Sequence, residues 1–137
     1  MTKHKARLCA HGGMQEEGVN FWDTYSPVVQ MTTVHILLIL SLVLELETRS
    51  IDLTLAFTPA PIDVLTYLDL PTGFSVDGDP KYYVLELKKN LYGLRQAGLN
   101  WFDTLCDHLL DLGFTQPVLD PSCYIKGNLI LLCYVDD

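Results

Sequence analysis

The chain has 137 residues, 49% of them hydrophobic and 19% charged, and a formal net charge of −8. That length accommodates one domain at most, or part of a larger one, and the composition is that of a globular chain rather than a disordered one. The negative balance argues against a general affinity for nucleic acid, and the basic groups that could form a local stripe are Lys3, Lys5 and Arg7 near the start and Lys88, Lys89 and Arg95 in the middle.

Residues 3–10 have strand character and stop at Gly12-Gly13. Residues 16–27 (EEGVNFWDTYSP) read as a loop, because Ser26-Pro27 favours extended backbone. Thr32 or Thr33 can cap a helix running to about Glu47. That helix is apolar nearly all round, which predicts burial on most sides. Residues 49–57 (RSIDLTLAF) read as a strand that sets Asp52 among apolar neighbours and ends at Pro59 and Pro61.

Residues 64–70 (VLTYLDL) and 81–88 (KYYVLELK) alternate as strands, with Gly78-Asp79-Pro80 turning between them. Residues 99–112 carry the cleanest helical pattern. Phe102, Leu105, Cys106, Leu109 and Leu110 share one face, Asp103, Asp107 and Asp111 line the other, and Gly113 supplies the stop. An apolar strand over residues 129–135 comes last. The expected class is α+β, with helices packed on a largely antiparallel sheet.

Cys9, Cys106, Cys123 and Cys133 lack the paired spacing of a zinc site, and their apolar neighbours suit buried thiols in a reducing compartment. The first residues are basic with no apolar stretch after them, so no secretory leader is expected. The longest apolar run, residues 36–44, is interrupted by Ser41 and falls short of the roughly 20 residues that cross a bilayer. An intracellular chain without a membrane span is expected.

Three carboxylates stand out. Asp52 lies inside one apolar segment, and Asp136-Asp137 end another. An unpaired buried carboxylate is costly, so each needs either water or a compensating partner. Three of them on two strand-like segments suit a shared site for a hard cation such as Mg²⁺.

Tyr134–Asp137 (YVDD) after an apolar strand resembles the catalytic hairpin of reverse transcriptases. Other motifs resemble the Ty1/copia retrotransposon type in the same order: KARL at 5–8, YSPVV at 25–29, MTT at 31–33, DLTLAF at 52–57, PTGF at 71–74, LYGLRQA at 91–97 with Trp101, and LGF at 112–114. The resemblance implies the fingers and palm portion of a right-hand polymerase, reaching as far as the catalytic hairpin, with thumb and RNase H portions outside this stretch. It implies an RNA-directed DNA polymerase, part of a Pol polyprotein, that uses an RNA template, a DNA primer and dNTPs. Cytoplasmic virus-like particles and the nucleus are the locations it implies.

By the same resemblance, Asp52 and Asp136 hold two Mg²⁺ ions, with Mn²⁺ as a substitute, and Asp137 supports them. Phe57 matches the aromatic floor that leaves no room for a 2′-hydroxyl. Arg7 and Lys5 match a fingers strand that approaches the triphosphate. Gln96 matches a segment under the incoming nucleotide and template, and Arg95 is placed to meet a phosphate.

The chain also departs from the family pattern. Gln30 stands where Lys is usual, His35 where Arg is usual, and Gly98-Leu99 replace Pro-Arg. Residues 9–13 lack the usual basic and aromatic residues, and residues 58–61 (TPAP) replace a Gly-containing turn. Several of these changes remove positive charge where phosphates would sit, which weakens phosphate contacts. Two further readings therefore stand beside the polymerase: a truncated, catalytically inactive transposon remnant or interaction module, and a metal-dependent nuclease or hydrolase. The last leaves the ordered motifs unexplained. Little or no polymerase activity is expected of this stretch alone.

Overall fold

The computed structural model describes residues 7–135. In chain order the regular elements are α1 (Met31–Val43), β1 (Tyr67–Asp69), β2 (Val84–Glu86), α2 (Ala97–Asp111), β3 (Cys123–Lys126) and β4 (Leu129–Leu132), with short 3₁₀ turns at Gly12–Met14 and Pro80–Tyr82. β1 pairs antiparallel with β2, Leu68 opposite Leu85. β3 pairs antiparallel with β4, Ile125 opposite Ile130. Among the described residues, two helices with two small antiparallel sheets make an α+β arrangement. Residues 7–24 and 55–101 form one compact unit, and residues 25–54 and 102–135 form a second.

In the first unit Phe21, Phe57, Ala60, Leu94 and Ala97 are buried, together with the polar Asn90 and Gln96. Asn90 is there for a backbone reason. The turn through Pro59-Ala60-Pro61 has two prolines that cannot donate, and its carbonyls need partners. The Asn90 backbone N–H donates to Ala60 O at 3.1 Å, and its side-chain amide donates to Pro61 O at 2.6 Å. The Asn90 side-chain oxygen in turn accepts from Asn100 at 3.2 Å.

In the second unit Tyr124 is fully buried beside Leu109 and Cys133, with Leu105, Cys106, Phe114 and Leu131 packed around them. Burial pushes the Cys133 thiol up to about 11, with Cys106 and Cys123 adding to the effect. Such a thiol is a small core residue rather than a nucleophile. All four cysteines are free; Cys123 and Cys133 are buried, and Cys9 is exposed, unlike the buried thiol expected at that position.

The second helix and its stop match the sequence pattern. Phe102 and Leu109 are buried, Asp103, Asp107 and Asp111 are exposed, and Gly113 takes φ +85°. The strands at 64–70 and 81–88 shrink to three residues each, and Pro80–Tyr82 becomes a 3₁₀ turn capped by the Asp79 carboxylate on the Lys81 N–H. Residues 7–10 are not a strand, although the Ala10 N–H donates to Tyr92 O at 2.7 Å.

Two expectations are overturned. Residues 49–57 form no strand: 49–53 are irregular, residues 54–59 turn, and Leu55 sits at φ +60°. A strand is stabilised by its neighbour, and none lies alongside this one among the described residues. The first helix is not buried on most sides either. No α1 residue is buried, and Leu42 and Val43 are 81% and 71% exposed. An all-apolar helix is covered only where other elements supply matching surface. The remaining described elements of its unit are one two-stranded hairpin and part of α2, and these bury Tyr124 between them. Among the described residues, no helix is long and apolar enough to cross a membrane.

Candidate functional site

The first unit gathers Arg7, Phe57, Arg95 and Gln96. Its frame is a close backbone approach between residues 10–12 and the loop 92–95. The Ala10 N–H donates to Tyr92 O, and Arg95 Nε donates to Gly12 O at 2.8 Å. Two glycines make this possible. A Cβ on Gly93, whose φ is +89°, would overlap the Ala10 carbonyl oxygen, and a Cβ on Gly12 would overlap the Gly93 carbonyl oxygen.

On that frame the Arg7 guanidinium lies 5.1 Å from the centre of the Tyr92 ring. Tyr92 is half-buried and meets the buried Phe57 ring at 4.9 Å with a 59° tilt. Arg95 lies 5.2 Å from the Phe21 ring centre. Cation–ring and ring–ring contacts of this kind contribute about 0.5–1.5 kcal/mol each. The result is a short column of a cation and two rings.

Gln96 is completely buried, with both ends of its amide engaged. Its Nε2 donates to Asn20 O at 3.1 Å, and its Oε1 accepts from Gln15 Nε2 at 2.9 Å. Gln15 Oε1 accepts from the Arg95 N–H at 2.8 Å, which closes the network. Replacing Gln96 by Leu removes the hydrogen bonds that it makes to Asn20 O and Gln15 Nε2, while Gln15 Oε1 keeps the Arg95 N–H. We expect it to cost about 1–3 kcal/mol, read as a lower urea midpoint at unchanged slope.

Asp52 is exposed and belongs to the second unit. Asp136, Asp137 and Lys5 lie outside the described residues. Among the described residues no group of three or more His, Cys, Asp or Glu side chains is placed to hold a metal ion. Carboxylate oxygens are the right donors for Mg²⁺, and Asp52 is the one of the three sequence-predicted carboxylates within the described part.

Sequence reading did not single out Tyr92, Asn90 or Asp120. Asp120 is buried in the second unit, and its carboxylate accepts from the N–H groups of Gln30 at 3.2 Å and Ser122 at 3.1 Å. An Asp two residues before Ser is an ordinary turn pattern. Nothing local marks it as the anchor of a helix start ninety residues away.

The family model described as reverse transcriptase (RNA-dependent DNA polymerase) matches residues 1–137. The Retrovirus-related Pol polyprotein from transposon TNT 1-94 of Nicotiana tabacum is 35% identical over all of this chain and 11% of its own length. The corresponding polyprotein from transposon RE1 of Arabidopsis thaliana is 36% identical over all of the chain and 10% of its own length. The Transposon Ty1-ER2 Gag-Pol polyprotein of Saccharomyces cerevisiae is 34% identical over 98% of the chain and 8% of its own length. The chain thus spans about a tenth of the curated relatives it matches. No solved structure matches it. With its motifs in family order and the family match running from first residue to last, the chain belongs to the reverse transcriptases of Ty1/copia-type retrotransposon Pol polyproteins.

Proposed function

We propose that the chain is the fingers and palm portion of an RNA-directed DNA polymerase that transfers a nucleotide from a dNTP to a primer 3′-hydroxyl. The observation that carries this reading is the gathering of Arg7, Phe57, Arg95 and Gln96 in one unit of a chain that matches the reverse transcriptase family throughout. In this reading Arg7 and Lys5 neutralise the triphosphate, Gln96 stiffens the floor beneath nucleotide and template, and Phe57 excludes the 2′-hydroxyl. Arg95 meets a backbone phosphate.

Asp52 and Asp136 would hold two Mg²⁺ ions, or Mn²⁺ in their place, with Asp137 in support. When bound, a divalent cation there supplies charge neutralisation for the attacking hydroxyl and the departing pyrophosphate. The chain's own contribution is positioning, which alone is worth several orders of magnitude in rate. RNA template, DNA primer and the remainder of a Pol polyprotein are the partners, within cytoplasmic particles and later the nucleus, where DNA integration follows.

Calorimetric titration with Mg²⁺ and Mn²⁺ tests the reading. Asp52→Asn is expected to weaken binding by about tenfold or more, because a carboxylate ligand is lost. Indistinguishable isotherms for wild type and variant would sink it.

One observation favours a second reading, an inactive remnant kept as an interaction module: the apolar surface of α1 is exposed along its length. Primer extension on an RNA template with dNTPs and Mg²⁺ separates the two. The chain is assayed joined to the remaining polymerase portion of a related Pol polyprotein, since little activity is expected of this stretch alone. Extension that Asp52→Asn abolishes supports the polymerase, and its absence supports the remnant.

A further inference from the structure

We propose that Tyr92 is a positioning residue for sugar selection, holding the Phe57 ring and the Arg7 guanidinium in register on its own ring. The proposal rests on the reading of Phe57 as the group that rejects a 2′-hydroxyl. A ring can reject one added oxygen only if it cannot retreat, since displacement by about an ångström would admit the larger sugar.

Phe57 lies in a turn rather than in a strand or helix, so no ladder of backbone hydrogen bonds fixes it. Two attachments do so instead. The first is backbone: Ala60 N–H donates to Phe57 O at 3.2 Å, and Ala60 O accepts from the Asn90 N–H. The second is the Tyr92 ring, 4.9 Å away and two residues beyond Asn90. Tyr92 is well suited to hold another group. Its carbonyl is tied to Ala10, the next residue is a glycine packed against the Ala10 backbone, and Arg7 covers its ring. None of the backbone attachments uses the Tyr92 side chain. Losing the ring should therefore free Phe57 without dissolving the loop.

The test is equilibrium binding of dATP and ATP, each with Mg²⁺, to the whole chain. Wild type is expected to favour dATP by about tenfold, and Tyr92→Leu to reduce that ratio to about twofold or less, chiefly by tighter ATP binding. Tyr92→Phe keeps the ring and should restore the ratio. Where Tyr92→Leu fails to fold by circular dichroism, Tyr92→Met takes its place. Phe57→Leu and the double variant complete a cycle, in which the two substitutions together should change the ratio no more than either alone.

Equal weakening of dATP and ATP by Tyr92→Leu, or additive effects in the cycle, would overturn the role of Tyr92 while leaving that of Phe57 intact. An unchanged ratio in Phe57→Leu overturns the reading of Phe57 itself, and with it the proposal. A chain that binds neither nucleotide overturns both.

Discussion

Gly93→Ala is expected to destabilise the first unit by roughly 3 kcal/mol or more. Two costs combine. At φ +89° an L-residue is strained by about 1–2 kcal/mol. The new methyl would also overlap the Ala10 carbonyl oxygen, a backbone atom that cannot swing aside as a side chain can. Relief requires residues 10–12 to move away from the loop, which lengthens the bond from Ala10 to Tyr92 and uncouples Arg95 from Gly12.

Gly73 is the natural control. Its φ is +88°, almost the same, but a Cβ there meets nothing within 4 Å. Urea unfolding of the two variants should therefore differ by the overlap term alone, with Gly73→Ala costing about 1 kcal/mol. Equal losses would show that the close approach of residues 10–12 to the loop is absent in solution.

Asp120→Ala is expected to cost about 2–4 kcal/mol in the second unit, because it strands several donors at once. The carboxylate accepts from Gln30 N–H, the residue that caps α1, from Ser122 N–H, and from the Thr33 side chain. Gln30 Nε2 also donates to Leu119 O at 3.0 Å. The start of α1 is thus held to the segment leading into β3, and Gln30 has no side-chain cap of its own to offer instead.

Burial alone would raise the Asp120 carboxyl, but the hydrogen bonds from Thr33, Gln30 and Ser122 outweigh it and hold the group below its ordinary value of 3.8. A depressed carboxyl stabilises the fold at pH above that ordinary value, and the contribution fades as pH falls through the folded one. Wild type should accordingly lose stability on acidification below pH 3.8 more steeply than Asp120→Asn, whose amide does not titrate. Parallel stability curves for the two proteins would remove Asp120 from the account.

Legibility differed sharply between the two kinds of residue. The second helix was readable because its signal is local: five apolar positions at a spacing near 3.6, three aspartates opposite and a glycine stop. Arg7, Phe57, Arg95 and Gln96 were singled out through the ordered family motifs, and they fall in one unit. The strand Cys123–Lys126 was missed, since four mixed residues carry no alternation until Leu129–Leu132 lies beside them. The segment 49–57 looked like a strand for the opposite reason: its composition favours extension, but extension needs a partner.

What the sequence determined by itself is membership of the reverse transcriptase family and the helix at 97–111, because order of motifs and short-range periodicity survive without knowledge of the fold. What only the tertiary structure decided is how these residues are held. Gln96 meets Gln15 across 81 positions, Asp120 meets Gln30 across 90, and Tyr92 meets Phe57 through ring faces that no local pattern records. Hydrogen bonds and ring contacts act over a few ångströms, and chain folding alone determines which distant residues come within that reach.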